Sequence, residues 1–291
     1  MSKQLEVNFA GITFPNPITT ASGTFGSGLE YSEFVDLKKL GAVTTKGVAN
    51  VPWSGNPTPR IVETHGGMLN AIGLQNPGID TLIARDLPYL YEHGAHIIVN
   101  VCGRSKEDYV EVVERLADED VDMLEINISC PNVKAGGIAF GQKPEMAEEI
   151  TKAVKAVAKQ PIVMKLSPNV TDITEMAKAV EAGGADGVSL INKTFALANQ
   201  TGGMSGPCVK PVAVRMVYQV ANAVSIPVLG MGGVQNTEDA LEFLMAGATM
   251  VAVGTANFFN PYVTSQIIDG LEEYVKKEKL SSIRDIIGCV K

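Results

Sequence analysis

Residues 96–129 read HIIVNVCGRSKEDYVEVVERLADEDVDMLEINIS. A β-branched apolar run (96–101) gives way to SKEDYVEVVERLADE (105–119), in which Ser105 and Asp108 stand at capping-box spacing and mark a helix start. A second apolar run follows (122–129), with Leu124, Ile126 and Ile128 at the spacing of a buried strand. Strand, helix and strand in this order form a crossover unit, the building block of parallel sheets.

The same alternation runs along the whole chain. Further apolar runs lie at 17–22 (PITTAS), 42–47 (AVTTKG), 161–167 (PIVMKLS), 187–192 (GVSLIN), 227–233 (PVLGMGG) and 249–255 (TMVAVGT), which makes eight strands in all. Between them, AEEITKAVKAVAK places Ile150, Val154 and Val157 on one helical face, and Asn236 with Asp239 repeats the start signal in NTEDALEFLMAG. Eight strand–helix units without a linker or low-complexity stretch predict a (β/α)8 TIM barrel occupying residues 1–291 as a single domain. A doubly wound sheet would carry G-x-G-x-x-G after its first strand, whereas GTFGSG at 23–28 has its glycines in another order. Two connections are long enough to be insertions at the C-terminal face. Residues 48–76 contain two short extended runs, read as a hairpin over the barrel mouth, and 131–142 form a Gly-rich loop.

Composition removes several function classes. The formal net charge is −8 with no basic run, so nucleic acid has no electrostatic footprint here. Cys102, Cys130, Cys208 and Cys289 lie far apart with no C-x-x-C pair, against a zinc site, a cluster or a disulfide framework on this chain. Neither a signal peptide nor a membrane span is apparent, so a reduced, cytoplasmic protein is expected.

Barrels of this kind do their chemistry at the C-terminal ends of the strands. Those ends carry Ser22, Lys46, Asn100, Asn127 with Cys130, Lys165 with Ser167, Asn192, Gly232 with Gly233, and Gly254 with Thr255. Buried polar groups need partners, so two lysines and three asparagines at one mouth point to a planar polar ligand. Either lysine has a simpler use, an ion pair with a strand acid such as Glu125. The glycines after strands seven and eight let backbone N–H groups approach a phosphate. A phosphate anchor, amides and two cations together suit flavin mononucleotide (FMN), while the glycines alone would equally suit a flavin-free lyase or isomerase of sugar phosphates, or a non-catalytic phosphate-binding barrel. Cys130, beside Asn127 and Asn132 at the start of the Gly-rich loop, is placed to act as a base. Cys102 reads as structural, Cys208 and Cys289 as structural or incidental, and His65, His93 and His96 as isolated residues without a partner acid.

The motifs TTASGTFG, TTKGV, NAIGLQNPG, INISCPNVKAGG, KLSPNVTDI, TGGMSGP, GMGGV and VGTANFF cover nearly the whole chain. Together they resemble the catalytic subunits of class 1B dihydroorotate dehydrogenases. The resemblance implies that Cys130 takes the C5 proton of dihydroorotate while the C6 hydride passes to N5 of FMN, giving orotate for pyrimidine synthesis. It implies FMN contacts at Ser22, Lys46, Gly47, Asn100, Asn127, Lys165, Ile191, Gly206, Gly232, Gly233, Gly254 and Thr255. For the substrate it implies Lys46, Asn70, Ala71, Ile72, Gly73, Leu74, Asn127 and Asn192. It also implies a partner subunit carrying FAD and a [2Fe–2S] centre that delivers electrons to NAD+, with two catalytic chains pairing at the core of a heterotetramer. One departure stands out. Asn192 runs through KTFALANQTGG with a shorter connection than the family has, and Lys193 replaces the usual threonine, leaving Thr194 as the alternative to it.

Overall fold

The computed structural model describes residues 3–129, 140–192, 194–197 and 201–290, with backbone only at 194–197 and 201. In chain order the strands are β1 (Val7–Phe9), β2 (Ile12–Phe14), β3 (Ile18–Thr20), β4 (Val43–Thr44), β5 (Ile61–Thr64), β6 (Gly67–Asn70) and β7 (Ile97–Val101). They continue with β8 (Met123–Asn127), β9 (Ile162–Lys165), β10 (Gly187–Leu190), β11 (Thr194–Leu197), β12 (Thr201–Ser205), β13 (Val228–Met231) and β14 (Met250–Val253). Eight of them form one parallel sheet in the order β3-β14-β13-β10-β9-β8-β7-β4. Each coincides with one of the eight apolar runs, trimmed at its ends. Such strands are buried on both faces, which is why β7 and β8 read as near-continuous apolar sequence.

The two edges meet at β3 and β4, and a parallel bridge between Thr19 and Ala42 joins them. Side chains reinforce this seam. Thr19 Oγ1 donates to the Ala42 carbonyl at 2.8 Å, and the Thr44 amide donates to Thr20 Oγ1 at 3.0 Å. Gly41 enters the seam where a Cβ would stand 2.3 Å from the Asn16 carbonyl oxygen, so only glycine lets the chains approach this closely. The eight strands therefore close into the predicted (β/α)8 barrel.

Helices cover the outside. Lys106–Leu116 begins with the expected capping box between Ser105 and Asp108, and buries Tyr109, Val112, Val113 and Leu116 against the sheet. Pro144–Lys155 buries Ala147, Ile150, Thr151 and Val154, while Val157 lies beyond its end. Each fully buried Ile or Val contributes roughly 1.5–3 kcal/mol relative to exposure, which outweighs the weak intrinsic propensity of β-branched residues for helix. Asn236 caps Thr237–Met245 by accepting from the Asp239 amide.

Above the strand ends lies a second, antiparallel sheet in the order β11-β12-β6-β5. Its β5–β6 half is the hairpin expected in 48–76. The other half, β11–β12, is formed by the connection after Asn192, and β6 pairs with β12 through Gly203 opposite Asn70. This joining of two distant insertions, and a small N-terminal hairpin of β1 and β2, had no counterpart in the sequence reading. Most of the Gly-rich loop, 131–139, lies outside the described residues.

Candidate active site

The strand ends and the overlying sheet enclose a cleft of about 1100 Å³, open water at its mouth included. Of the residues expected to hold a cofactor, Ser22, Lys46, Gly47, Asn127, Lys165, Ile191, Gly206, Gly232, Gly233, Gly254 and Thr255 all line it. Asn100 is instead fully buried behind Asn127, whose Nδ2 donates to Asn100 Oδ1 at 3.4 Å. Of the expected substrate residues, Asn70, Ile72, Leu74 and Asn192 also line the cleft, with Ala71 and Gly73 between them in the chain. Cys130 and Lys193 lie outside the described residues, as does the side chain of Thr194.

Local sequence explains how each wall is held. The segment 70–74 is tied down by its backbone: the Asn56 side chain donates to the Ala71 carbonyl at 2.8 Å, the Asn56 amide to Ile72 at 3.0 Å, and Asn76 Nδ2 to Leu74 at 2.9 Å. Buried Asn76 also accepts from the amides of Ala49 and Gly78, so one side chain anchors the return from the hairpin to the barrel. At the ends of the adjacent strands β13 and β14, Gly232, Gly233 and Gly254 expose bare backbone to the cleft. Gly233 has φ +78°, and a Cβ there would stand 2.8 Å from both the Gly206 carbonyl oxygen and Lys210 Cβ. Lys210 braces this corner from behind, with Nζ 2.6 Å from Asp239 and 3.0 Å from Glu242; the hydrogen bond to Asp239 raises its pKa.

At the ends of β8 and β9 the cleft presents different chemistry. Lys165 is 3% exposed, and its Nζ lies 3.1 Å from Glu125 Oε2, so the ion pair foreseen as the simpler reading exists without withdrawing Lys165 from the cleft. Ser129 and Asn192 meet above it, and Thr255 Oγ1 donates to Ser205 Oγ at 2.8 Å, linking β14 to β12. Ser205 was missed in the sequence reading although it lies in the quoted TGGMSGP motif. Met68, Met204 and Phe258, also missed, add apolar surface. Bare backbone on one arc and cations with amides on another match a ligand with a phosphate at one end and a hydrogen-bonding planar ring at the other. FMN is such a ligand, and the arc where Gly232, Gly233 and Gly254 line the cleft without side chains fits its phosphate.

Other sequence expectations resolve outside the cleft. Cys102 is buried with Ala49 and Trp53, as expected of a structural residue, while Cys208 and Cys289 are exposed. His96 is not isolated: its Nδ1 lies 3.0 Å from Asp122 Oδ1, a partner that the parallel pairing of β7 and β8 brings alongside. No helix among the described residues is long and apolar enough to cross a membrane, and none of their acidic, His or Cys side chains cluster as a metal site would.

The family model for dihydroorotate dehydrogenase matches residues 4–275. The chain belongs to the dihydroorotate dehydrogenase family. Among members of that family it is 67% identical over 296 residues to the "Dihydroorotate dehydrogenase B (NAD(+)), catalytic subunit" of Lachnoclostridium phytofermentans, covering 98% of this chain and 99% of that protein. It is 59% identical over 297 residues to the protein of the same description from Alkaliphilus metalliredigens, covering 98% of each. Both matched stretches exceed the 291 residues of this chain, so these dehydrogenases carry residues without a counterpart here, in keeping with a shortened connection. A crystal structure of the dihydroorotate dehydrogenase of Eimeria tenella in complex with ferulenol shares the fold, with a TM-score of 0.86 at 23% identity over 99% of this chain and 89% of that one.

Proposed function

We propose that the chain, acting as one unit over 1–291, is the FMN-binding catalytic subunit of an NAD+-linked dihydroorotate dehydrogenase and oxidises dihydroorotate to orotate in pyrimidine synthesis. The observation that carries this reading is the convergence of Lys46, Lys165, Asn70, Asn127 and Asn192 on one cleft whose far arc is bare glycine backbone. A sugar-phosphate lyase would give the asparagines no ring edge to hold, and a binding barrel would give Cys130 no role.

When bound, FMN supplies the hydride acceptor for C6 of the substrate. The protein supplies the rest. Lys46 and the segment Asn70–Leu74 hold the substrate carboxylate, while the Asn127 and Asn192 amides match the pyrimidine edge and prevent the ring from turning. Cys130 takes the C5 proton as thiolate. Lys165 would place positive charge beside the flavin, with Ser22, Gly47, Ile191 and Gly206 available to its ring, Gly232, Gly233, Gly254 and Thr255 to its phosphate, and Asn100 acting from behind Asn127. Electrons leave through a partner subunit with FAD and a [2Fe–2S] centre, in a cytoplasmic heterotetramer built on a pair of catalytic chains. No nucleic acid or membrane takes part.

The test is anaerobic mixing of the purified yellow protein with dihydroorotate. The flavin absorbance should bleach within seconds and orotate should form in equal amount. A colourless protein, or a flavin that dihydroorotate leaves oxidised, would refute the reading.

A further inference from the structure

One carboxylate inside the barrel has no part in the steps above. Glu125, on β8, is 2% exposed and is held by side chains from three other strands. Its Oε2 accepts from Asn100 Nδ2 of β7 at 2.5 Å and from Lys165 Nζ of β9 at 3.1 Å, and its Oε1 accepts from Ser189 Oγ of β10 at 2.6 Å. A buried ion pair costs several kcal/mol of desolvation per charge and adds little net stability, so packing alone does not explain a carboxylate where an apolar residue would serve. Its Lys165 partner, however, also lines the cleft.

We propose that Glu125 is a positioning residue for Lys165: it fixes the ammonium at the floor of the cleft and offsets part of its field on the flavin. The inference rests on the reading of Lys165 as a flavin-binding side chain. A lysine head on four rotatable bonds loses about 2 kcal/mol of rotamer entropy when fixed, and the hydrogen bond to Glu125 places it before any ligand arrives. The charge matters separately. An uncompensated ammonium would favour the reduced, more negative flavin strongly and raise its midpoint potential. With Glu125 3.1 Å away the preference is moderated, which suits a flavin whose electrons must travel on to an acceptor as weak as NAD+.

The test is the flavin midpoint potential of the holoprotein, from equilibrium titration against reference dyes, with apoprotein affinity for oxidised FMN measured alongside by fluorescence quenching. E125Q should favour reduced over oxidised flavin at least tenfold more than wild type, an upward shift of about 30 mV for a two-electron couple, and E125D should restore most of the wild-type value. K165M should shift the potential downward. E125Q/K165M should match K165M alone, because Glu125 acts on the flavin through the Lys165 ammonium that it holds. An unchanged potential in fully flavinated E125Q overturns the inference, and so does an E125Q shift that persists without Lys165. If K165M changes neither potential nor FMN affinity, the reading of Lys165 itself fails and this inference falls with it. Should E125Q not fold, S189A removes one hydrogen bond from the carboxylate, concentrates its charge on Lys165 and should lower the potential; no movement there also overturns the inference.

Discussion

The Asn192 side-chain amide donates to the Ser129 hydroxyl across 2.8 Å, bridging the ends of β10 and β8. That hydroxyl donates in turn to Asn127 Oδ1 at 2.8 Å, Asn127 donates to Asn100, and Asn100 to Glu125. A directional chain of hydrogen bonds thus runs from the mouth of the cleft to the carboxylate beneath it. Neither Asn127 nor Asn192 is free to rotate, and both amides keep the orientation that the chain imposes.

Ser129→Ala should therefore loosen two amides at once. One lost hydrogen bond is worth about 1–1.5 kcal/mol, so the KM for dihydroorotate should rise about tenfold while flavin content stays stoichiometric. Steady-state kinetics on the flavinated variant decide it. An unchanged KM would separate Asn192 from substrate binding.

The two lysines should differ in effect. Lys165→Ala should weaken flavin retention or reducibility, read from the absorbance remaining after gel filtration and from photoreduction. Lys46→Ala should raise the dihydroorotate requirement more than the flavin requirement. Wild-type affinity for both ligands in either variant would reduce that lysine to structural ion pairing.

Cys130→Ser should keep FMN yet slow flavin reduction by orders of magnitude, since a hydroxyl ionises far less readily than a thiol. In the wild type the reduction rate should climb with pH towards the usual thiol range near 8.5. Stopped-flow measurement from pH 6 to 9 tests both statements, and a variant that reduces its flavin at the native rate would remove Cys130 from the chemistry.

All eight barrel strands were legible because strands buried on both faces admit few polar residues, as in Ile97, Ile98 and Val99. Their C-terminal limits were overdrawn: Asn192 and Gly233 belong to the loops that line the cleft rather than to the ladder. The cleft residues were legible for the same reason, since a polar side chain closing an apolar run is a local signal. Pairing was not. Glu125 could be matched with Lys46 or Lys165 on sequence, and only the neighbouring positions of β8 and β9 select Lys165. His96 and Asp122 are similarly remote in sequence and adjacent only in the sheet.

The His96–Asp122 pair gives the fold a modest pH dependence. The hydrogen bond to Asp122 raises the imidazole pKa above 6.5, against the opposing effect of burial. A raised folded-state value means that the contribution is fully present below about pH 6.5, the unfolded value, and is lost as pH rises through the folded value. Partial exposure keeps it small. Thermal unfolding from pH 5.5 to 8.5 should show stability declining across this window in the wild type, with a flatter profile in His96→Gln. An equally steep profile in the variant would assign the dependence elsewhere.

Electron delivery should require a second protein. The sequence has no dinucleotide fingerprint and no clustered cysteines. The purified chain with dihydroorotate should reduce artificial acceptors but form negligible NADH, and addition of the proposed electron-transfer subunit should restore NADH formation. Efficient NAD+ reduction by the chain alone would sink this expectation, and efficient use of fumarate would move it to the sister class of the family.

The sheet above the cleft has a consequence for the order of opening. In β5 the side chains of Ile61 and Val62 are exposed, so this sheet has little buried apolar surface to hold it once the barrel below is complete. It is thus the first part to open, and amide hydrogen exchange should be far faster at Met68 and Met204 than at Val99 and Leu124. The cleft can then widen by undoing a few strand pairings while the barrel beneath it stays folded.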